Sequence, residues 1–73
     1  MDQNQVLDEV IRYMVNNSVN GLFHGTPRDR MEDLAVSSGP LYHALYNLGI
    51  TRVGRGRNAI WTIPQNIIDN YRE

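Results

Sequence analysis

Two helix starts placed close together constrain the fold of this chain more than any other feature. In "TPRD", Thr26 can cap a helix that Pro27 enters at its first position, where the missing backbone N–H costs nothing. In "SSGP", Ser38 or Gly39 can cap a second helix, again followed by a proline. Two short helices joined by a few turn residues form a helix-turn-helix, predicted here over about residues 27–48.

The spacing of apolar residues supports these two helices and adds one before them. The earlier helix of the pair, predicted to end near Val36, is expected to bury Met31, Leu34 and Ala35. The later helix is expected to bury Leu41, Ala44, Leu45 and Leu48. A first helix is predicted over about residues 3–17, and the Asn and Gly residues of "NNSVNG" are expected to end it. Its apolar residues recur at three- and four-residue spacing and form one stripe: Val6, Leu7, Val10, Ile11, Met14 and Val15.

A β-hairpin is predicted after Gly49, over about residues 50–63. "ITRV" and "AIWTI" are rich in β-branched and aromatic residues, and the glycines and Asn58 of "GRGRN" supply positive backbone angles for the turn. Trp61 and Ile63 share one strand face and are expected to close the core. With a short strand in "LFHGT" and a short last helix in the tail, residues 64–73, the chain is predicted to be one α+β domain, a winged helix-turn-helix over residues 1–73.

The basic residues are unevenly distributed although the formal net charge is only -1. All of them are arginines, and Arg52, Arg55 and Arg57 lie in a stretch without any acidic residue, whereas the other arginines have Asp or Glu nearby in the sequence. The hairpin is therefore predicted to carry an unopposed positive site. Such a site suits phosphate, because arginine makes bidentate contacts with its oxygens.

Other classes of protein are disfavoured by what the sequence lacks. No stretch approaches the roughly 20 apolar residues of a membrane span, no secretory leader is evident, and there is no cysteine, so a cytoplasmic protein is expected. His24 and His43 have no metal-ligand spacing with a carboxylate, and neither a metal nor a cofactor is expected. No catalytic arrangement is evident, and a chain this small is expected to have little room for a cleft of about 300 Å³ or more, so an enzyme is not expected.

The stretch "SSGPLYHALYNLGI" resembles the Ser-x-Gly-x-Leu-Tyr-x-Ala-Leu-x-x-Leu recognition helix of PadR-like transcriptional regulators. "GRGRNAIWTI" looks like the basic wing and aromatic strand of that family, although the family's long C-terminal dimerisation helix is absent and the link from helix to wing is shorter than usual. The resemblance implies a DNA-binding winged helix and carries over Ser37, Tyr42 and the wing arginines as DNA contacts.

The residues themselves point to the same surface. Ser37 and Ser38 lie at a helix start, where hydroxyls and backbone amides can bind phosphate. His43 and Asn47 each offer a donor and an acceptor to base edges. Tyr42 and Tyr46 lie off the buried stripe, although each is about as well explained by packing against the first helix. The predicted duplex-DNA contacts are Ser37, Ser38, Tyr42, His43, Tyr46, Asn47, Arg52, Arg55, Arg57 and Asn58.

Two alternatives concern partners. A homodimer surface can be formed by Ile67, Ile68 and Tyr71 of the tail or by exposed parts of the first helix. For so small a chain, the better-supported interpretation is that the tail residues complete the monomer's core. The rival function is a winged helix that binds a protein partner instead of DNA, supported by the net charge and by acidic residues that would repel phosphate: Asp2, Asp8, Glu9, Glu32 and Asp33. A hybrid would use one face for DNA and the other for a protein.

Overall fold

Helices and strands follow one another along the chain in the predicted order, which confirms the α+β class. The computed structural model describes residues 2–72. Its helices are α1 (Gln3–Asn16), α2 (Arg28–Asp33), α3 (Ser38–Asn47) and α4 (Gln65–Tyr71). Its strands are β1 (Leu22–His24), β2 (Thr51–Val53) and β3 (Ile60–Thr62), and they form one antiparallel sheet in the order β1-β3-β2.

Helix α1 begins at a reciprocal cap. The Asp2 carboxylate accepts a hydrogen bond from the Gln5 N–H at 2.9 Å, and the Gln5 side chain accepts one from the Asp2 N–H at 3.0 Å. This capping box satisfies two amides that have no partner within the helix. The predicted stripe then packs into the core, with Leu7 only half-buried and the others fully buried: Val6, Val10, Ile11, Met14 and Val15.

The end of α1 differs in mechanism from the prediction. The C-cap residue Asn17 has φ -104, not a left-handed conformation, and its side-chain amide donates to the Tyr13 carbonyl at 2.8 Å. The Ser18 hydroxyl donates to the carbonyl of Val15 at 2.7 Å. Polar side chains thus satisfy the last carbonyls of the helix. The left-handed residues follow, where Asn20 (φ 54) and Gly21 (φ 80) form a tight turn before β1.

Helix α2 is shorter than predicted, and the inward placement of Ala35 was wrong. The helix ends at Asp33, and Ala35 is exposed with φ 56. The Ala35 N–H donates to the Glu32 carbonyl at 3.0 Å, and the Val36 N–H donates to the Met31 carbonyl at 3.2 Å. This pair of bonds is a Schellman motif, which needs a left-handed residue at the position that alanine occupies here.

Ala35→Gly is expected to stabilise the domain by about 0.5–1 kcal/mol, because glycine adopts positive φ without the steric cost that alanine pays. Thermal unfolding followed by circular dichroism should show a rise in Tm of about 3–6 °C. Ala44→Gly, inside α3, is the matched control and should lower Tm. A lower Tm for Ala35→Gly would show that alanine at this positive φ does not strain the fold.

Helix α3 ends in a Schellman motif at Gly49. Gly49 has φ 88 and donates its N–H to the Tyr46 carbonyl at 3.0 Å, while the Ile50 N–H donates to the Leu45 carbonyl at 3.2 Å. Leu45 and Ile50 are both fully buried, which supplies the apolar contact that accompanies this ending. Leu48, predicted to face inward, is 40% exposed. It lies at the C-cap, where the chain turns away from the helix, and Ile50 fills the core instead.

Strand β3 lies at the centre of the sheet and brings the only tryptophan into the core. In the antiparallel register Trp61 lies between Phe23 of β1 and Arg52 of β2. Phe23, Trp61 and Ile63 are buried, and the ring of Phe23 meets that of Tyr13 edge-on at 5.7 Å between centroids. The prediction that Trp61 and Ile63 close the core is confirmed.

Helix α4 packs on α1 and belongs to the core of the monomer. Ile67 and Ile68 are buried, as expected if the tail completes the monomer's core. Because they are buried, they are not available to form a dimer surface. The Tyr71 hydroxyl donates to the Asp8 carboxylate at 2.7 Å. This bond, together with burial and the charge of Asp8, raises the pKa of Tyr71, against an opposing effect of Arg12. Among the described residues, no helix is both long and apolar enough to cross a membrane.

Candidate nucleic-acid interface

The start of α3 lies at the surface. Ser37, not Ser38 or Gly39, is the N-cap residue, and its extended backbone (φ -73, ψ 136) leads into the helix. Its side chain makes no capping hydrogen bond, and it is exposed, whereas Ser38 is half-buried. The Ser37 hydroxyl is therefore not used to close the helix and is open to a ligand.

The outer face of α3 carries His43 and Asn47. Both side chains are exposed, and they lie on the side of the helix opposite the buried Leu41 and Leu45. Both offer hydrogen-bond donors and acceptors on an uncharged face. The predicted base-contacting residues thus share one accessible surface.

Tyr42 and Tyr46 pack on Trp61 of the sheet. Their rings stack on Trp61, at 5.7 Å and 17° for Tyr42 and at 6.0 Å and 12° for Tyr46. Tyr42 is half-buried, while Tyr46 stays 41% exposed. The Arg52 guanidinium lies 5.5 Å from the Trp61 ring centroid, at a distance at which a cation is attracted to the ring. One indole therefore joins α3 to the hairpin and holds Arg52 near α3.

The hairpin arginines are not all unopposed, and that prediction is corrected for Arg57. Its guanidinium donates two hydrogen bonds to the Asp29 carboxylate, at 3.1 and 3.4 Å. The pair joins the hairpin to α2, and the Arg57 side chain remains 80% exposed. Within residues 2–72, neither Arg52 nor Arg55 has a carboxylate oxygen within 4.0 Å.

The tip of the hairpin is a single 3-10 turn, Gly56–Asn58, between short strands. Gly54 is favoured because its φ of 92 is a conformation that L side chains rarely adopt, and a Cβ there would also lie 3.3 Å from the Asn58 carbonyl oxygen. Gly56 also has positive φ, as predicted. Asn58 does not, since the only non-glycine residues with positive φ in the described chain are Asn20 and Ala35. The turn exposes Arg55, Arg57 and Asn58 together.

Arg28 was missed by the sequence reasoning. It was counted as compensated because Asp29 follows it, but Asp29 pairs with Arg57, and within residues 2–72 no carboxylate oxygen lies within 4.0 Å of the Arg28 guanidinium. Arg28 borders two clefts. One, of about 410 Å³, runs along Ser37, Ser38 and Gly39.

The second cleft lies between α2, α3 and the hairpin and has a volume of about 360 Å³. Arg28, Arg52 and Arg57 line it, with Tyr42 and Trp61 contributing aromatic surface. The expectation that so small a chain has little room for a cleft of about 300 Å³ was wrong, because helices packed against a hairpin leave a gap at their junction.

Acidic residues of α1 and α2 are partly neutralised on another face. Glu9 pairs with Arg12 and with Arg30, both at 3.3 Å, and Arg30 also approaches Asp33 at 3.9 Å. His24 is exposed on β1. Among the described residues, no group of three or more His, Cys, Asp or Glu side chains is placed to hold a metal ion.

Comparison of the chain with protein-family models, with curated proteins and with solved structures finds no match. The resemblance to PadR-like regulators therefore stays a prediction.

Proposed function

We propose that this domain is a winged helix-turn-helix that binds duplex DNA and acts as a small transcriptional regulator. In this proposal α3 lies in the major groove and the β2–β3 hairpin is the wing, on the backbone or in the minor groove. One observation carries the proposal: the Trp61 ring contacts both Tyr46 of α3 and Arg52 of the hairpin, so that Arg52, which has no carboxylate within 4.0 Å in residues 2–72, lies beside α3.

The dimensions and chemistry of α3 support its role in the groove. The major groove of B-DNA is about 12 Å wide and admits an α-helix. None of the exposed residues of α3 in the described structure is an Asp, Glu, Lys or Arg, and His43 and Asn47 are among them. These groups can exchange hydrogen bonds with base edges without a charge-desolvation cost. Ser37 at the helix start is free to contact phosphate.

The wing arginines supply the attraction to the backbone. Arg52 and Arg55 have no carboxylate within 4.0 Å in residues 2–72, and Arg28, a third such cation, lines the same cleft as Arg52. Neutralising about three to five phosphates implies a log-affinity slope of roughly -3 to -5 against log salt. The affinity of one copy for DNA is then modest. A dimer that binds two half-sites, or a protein partner, would supply the additional affinity.

The proposal is tested by fluorescence anisotropy of a labelled mixed-sequence duplex, titrated with the protein at low and near-physiological salt. We expect saturable binding that weakens with salt along a slope of roughly -3 to -5. Absence of binding at low salt would refute it.

His43→Ala and Asn47→Ala are expected to alter the preference among duplex sequences, by about 1–3 kcal/mol at the positions that these residues read. Competition between duplexes of different sequence measures this preference. Asn70→Ala, at an exposed position of α4, is the matched control and should leave this preference unchanged. Equal losses on every sequence would show that α3 does not read bases at these positions.

A protein-binding module is the second candidate, and exposed apolar side chains favour it. Val53 on the edge strand β2 is 74% exposed, and Val19 beside β1 is 69% exposed. Both β1 and β2 have one unpaired edge in the described sheet. This candidate also fits the net charge of -1, and it gains support if the duplex titration finds no binding.

A further inference from the structure

The cleft between α2, α3 and the hairpin has the features of a binding site for an anion. Its volume of about 360 Å³ lies at the lower end of the range for small-ligand sites, about 300–1,000 Å³. Three separate segments build it: residues 26–32, Tyr42 of α3, and residues 52–61 of the hairpin. Its shape therefore depends on the tertiary fold and not on one loop.

Positive charge dominates the lining of the cleft. Arg28, Arg52 and Arg57 face two carboxylates, Asp29 and Glu32. The carboxylate of Asp29 is already bonded to Arg57. This leaves Arg28 and Arg52, without a carboxylate within 4.0 Å in residues 2–72, against Glu32 alone.

Trp61, one of the residues that line the cleft, carries an unpaired donor. The indole Nε1 of Trp61 is buried and has no hydrogen-bond partner among the described residues. Tryptophan N–H groups usually find an acceptor when buried. Nε1 is shielded from solvent, so the packing around it would have to change before an oxygen-rich ligand could accept this bond.

We propose that this cleft binds a phosphate group, with Arg28 and Arg52 as the principal donors. Guanidinium groups match phosphate oxygens in pairs of hydrogen bonds, and arginines drawn from two elements can approach the group from different sides. The phosphate belongs to a free phosphate ester or to the DNA backbone. Only the second source rests on the proposed function.

Arg57 is the third donor, and it changes partner. Its bond to Asp29 is largely exposed, and exposed ion pairs contribute little to stability. A phosphate monoester in the cleft carries more charge than the Asp29 carboxylate, and a backbone phosphodiester carries the same charge; either competes with the carboxylate for the same guanidinium. The ion pair thus keeps Arg57 close to the cleft when no phosphate is bound.

The test uses the single tryptophan as a reporter. Its indole N–H gives one side-chain cross-peak in a ¹H–¹⁵N spectrum, which is followed while inorganic phosphate replaces chloride at constant ionic strength. We expect a saturable shift with a Kd on the order of millimolar. Arg28→Gln and Arg52→Gln should each weaken binding about fivefold, and Glu32→Gln should tighten it about twofold. Arg72→Gln, outside the cleft, is the matched control and should have no effect.

Repeating the titration with a nucleoside monophosphate and with a duplex separates the two sources of phosphate. A shift with inorganic phosphate and the monophosphate supports a free ligand; a shift with the duplex alone, abolished in Arg28→Gln, supports a backbone phosphate. No saturable shift with any of the three would overturn the proposal. The phosphate-site proposal would also be overturned if both arginine variants still bind duplex in the anisotropy assay and duplex does not shift the Trp61 cross-peak. The proposed function would stand in that case. Binding of phosphate without binding of duplex would support the phosphate site and refute the proposed function.

Discussion

Trp61→Ala is expected to leave the domain largely unfolded at 25 °C, with a loss of about 3–5 kcal/mol in the free energy of unfolding. The Trp61 side chain is 1% exposed and is the largest fully buried one. It contacts Tyr42, Tyr46 and Arg52, which come from α3 and β2. Its removal therefore separates three elements that one ring holds together.

The size of the domain makes this loss decisive. A chain of this length buries only about 60% of the surface that its unfolded form exposes, and one small core rarely supplies more than about 3–5 kcal/mol of net stability. Removing the largest core side chain takes away an amount of the same order. No disulfide offsets it, because the chain has no cysteine.

Urea and thermal unfolding followed by far-ultraviolet circular dichroism measure the effect. Trp61→Phe keeps an aromatic ring and should remain folded with a smaller loss, while Tyr46→Ala should cost less because that ring is 41% exposed. A decrease in Tm of less than about 10 °C for Trp61→Ala would mean that the stacked rings are not central to the fold.

Local signals explain why much of the fold follows from the sequence. Thr26 and the apolar stripe of α1 act through residues within about one or two helical turns, so their effects can be read along the chain. The Thr26 hydroxyl accepts a hydrogen bond from the Arg28 N–H at 3.1 Å, although α2 begins at Arg28, one residue later than predicted. Trp61 was assigned to the core on alternation within one strand, and the sheet register agrees. Each of these predictions depended on near neighbours.

The corrections have a different origin. Ala35 adopts positive φ because the chain must turn between α2 and α3, a demand that overrides its own preference. Arg57 meets Asp29 across 28 positions of sequence, a pairing that only the folded hairpin creates. Counting charges along the chain therefore overstated the free charge at Arg57 and understated it at Arg28.

In the candidate site, too, some features could be predicted from the local sequence and others depend on tertiary structure. His43 and Asn47 could be placed on the outer face of α3 from periodicity, and both are exposed there. The cleft beside them could not be predicted, because its lining comes from three segments that are distant in sequence. Its net positive character depends on which carboxylate is already paired, and that is a property of tertiary structure.

Replacing Arg52, Arg55 and Arg57 together with glutamine is expected to lower duplex affinity about a hundredfold or more at low salt, because each guanidinium contributes a charge-assisted hydrogen bond. The slope of log affinity against log salt should become shallower by about 1 for each phosphate that is no longer neutralised. The decrease in affinity should be similar on every duplex sequence, since binding to phosphate carries no direct sequence information. Anisotropy titrations over a series of salt concentrations measure both quantities.

Asp29→Asn is expected to shift duplex affinity in the opposite direction. It removes a negative charge beside the proposed backbone contacts and frees Arg57, so affinity should rise several-fold and the salt slope should steepen by up to about 1. Asp69→Asn makes the same change of charge on α4, away from the hairpin, and controls for net charge alone. If Asp29→Asn binds duplex more weakly than Asp69→Asn does, the carboxylate positions Arg57 for DNA. A stronger complex with Asp29→Asn means that the free protein holds Arg57 in a bond that DNA must break.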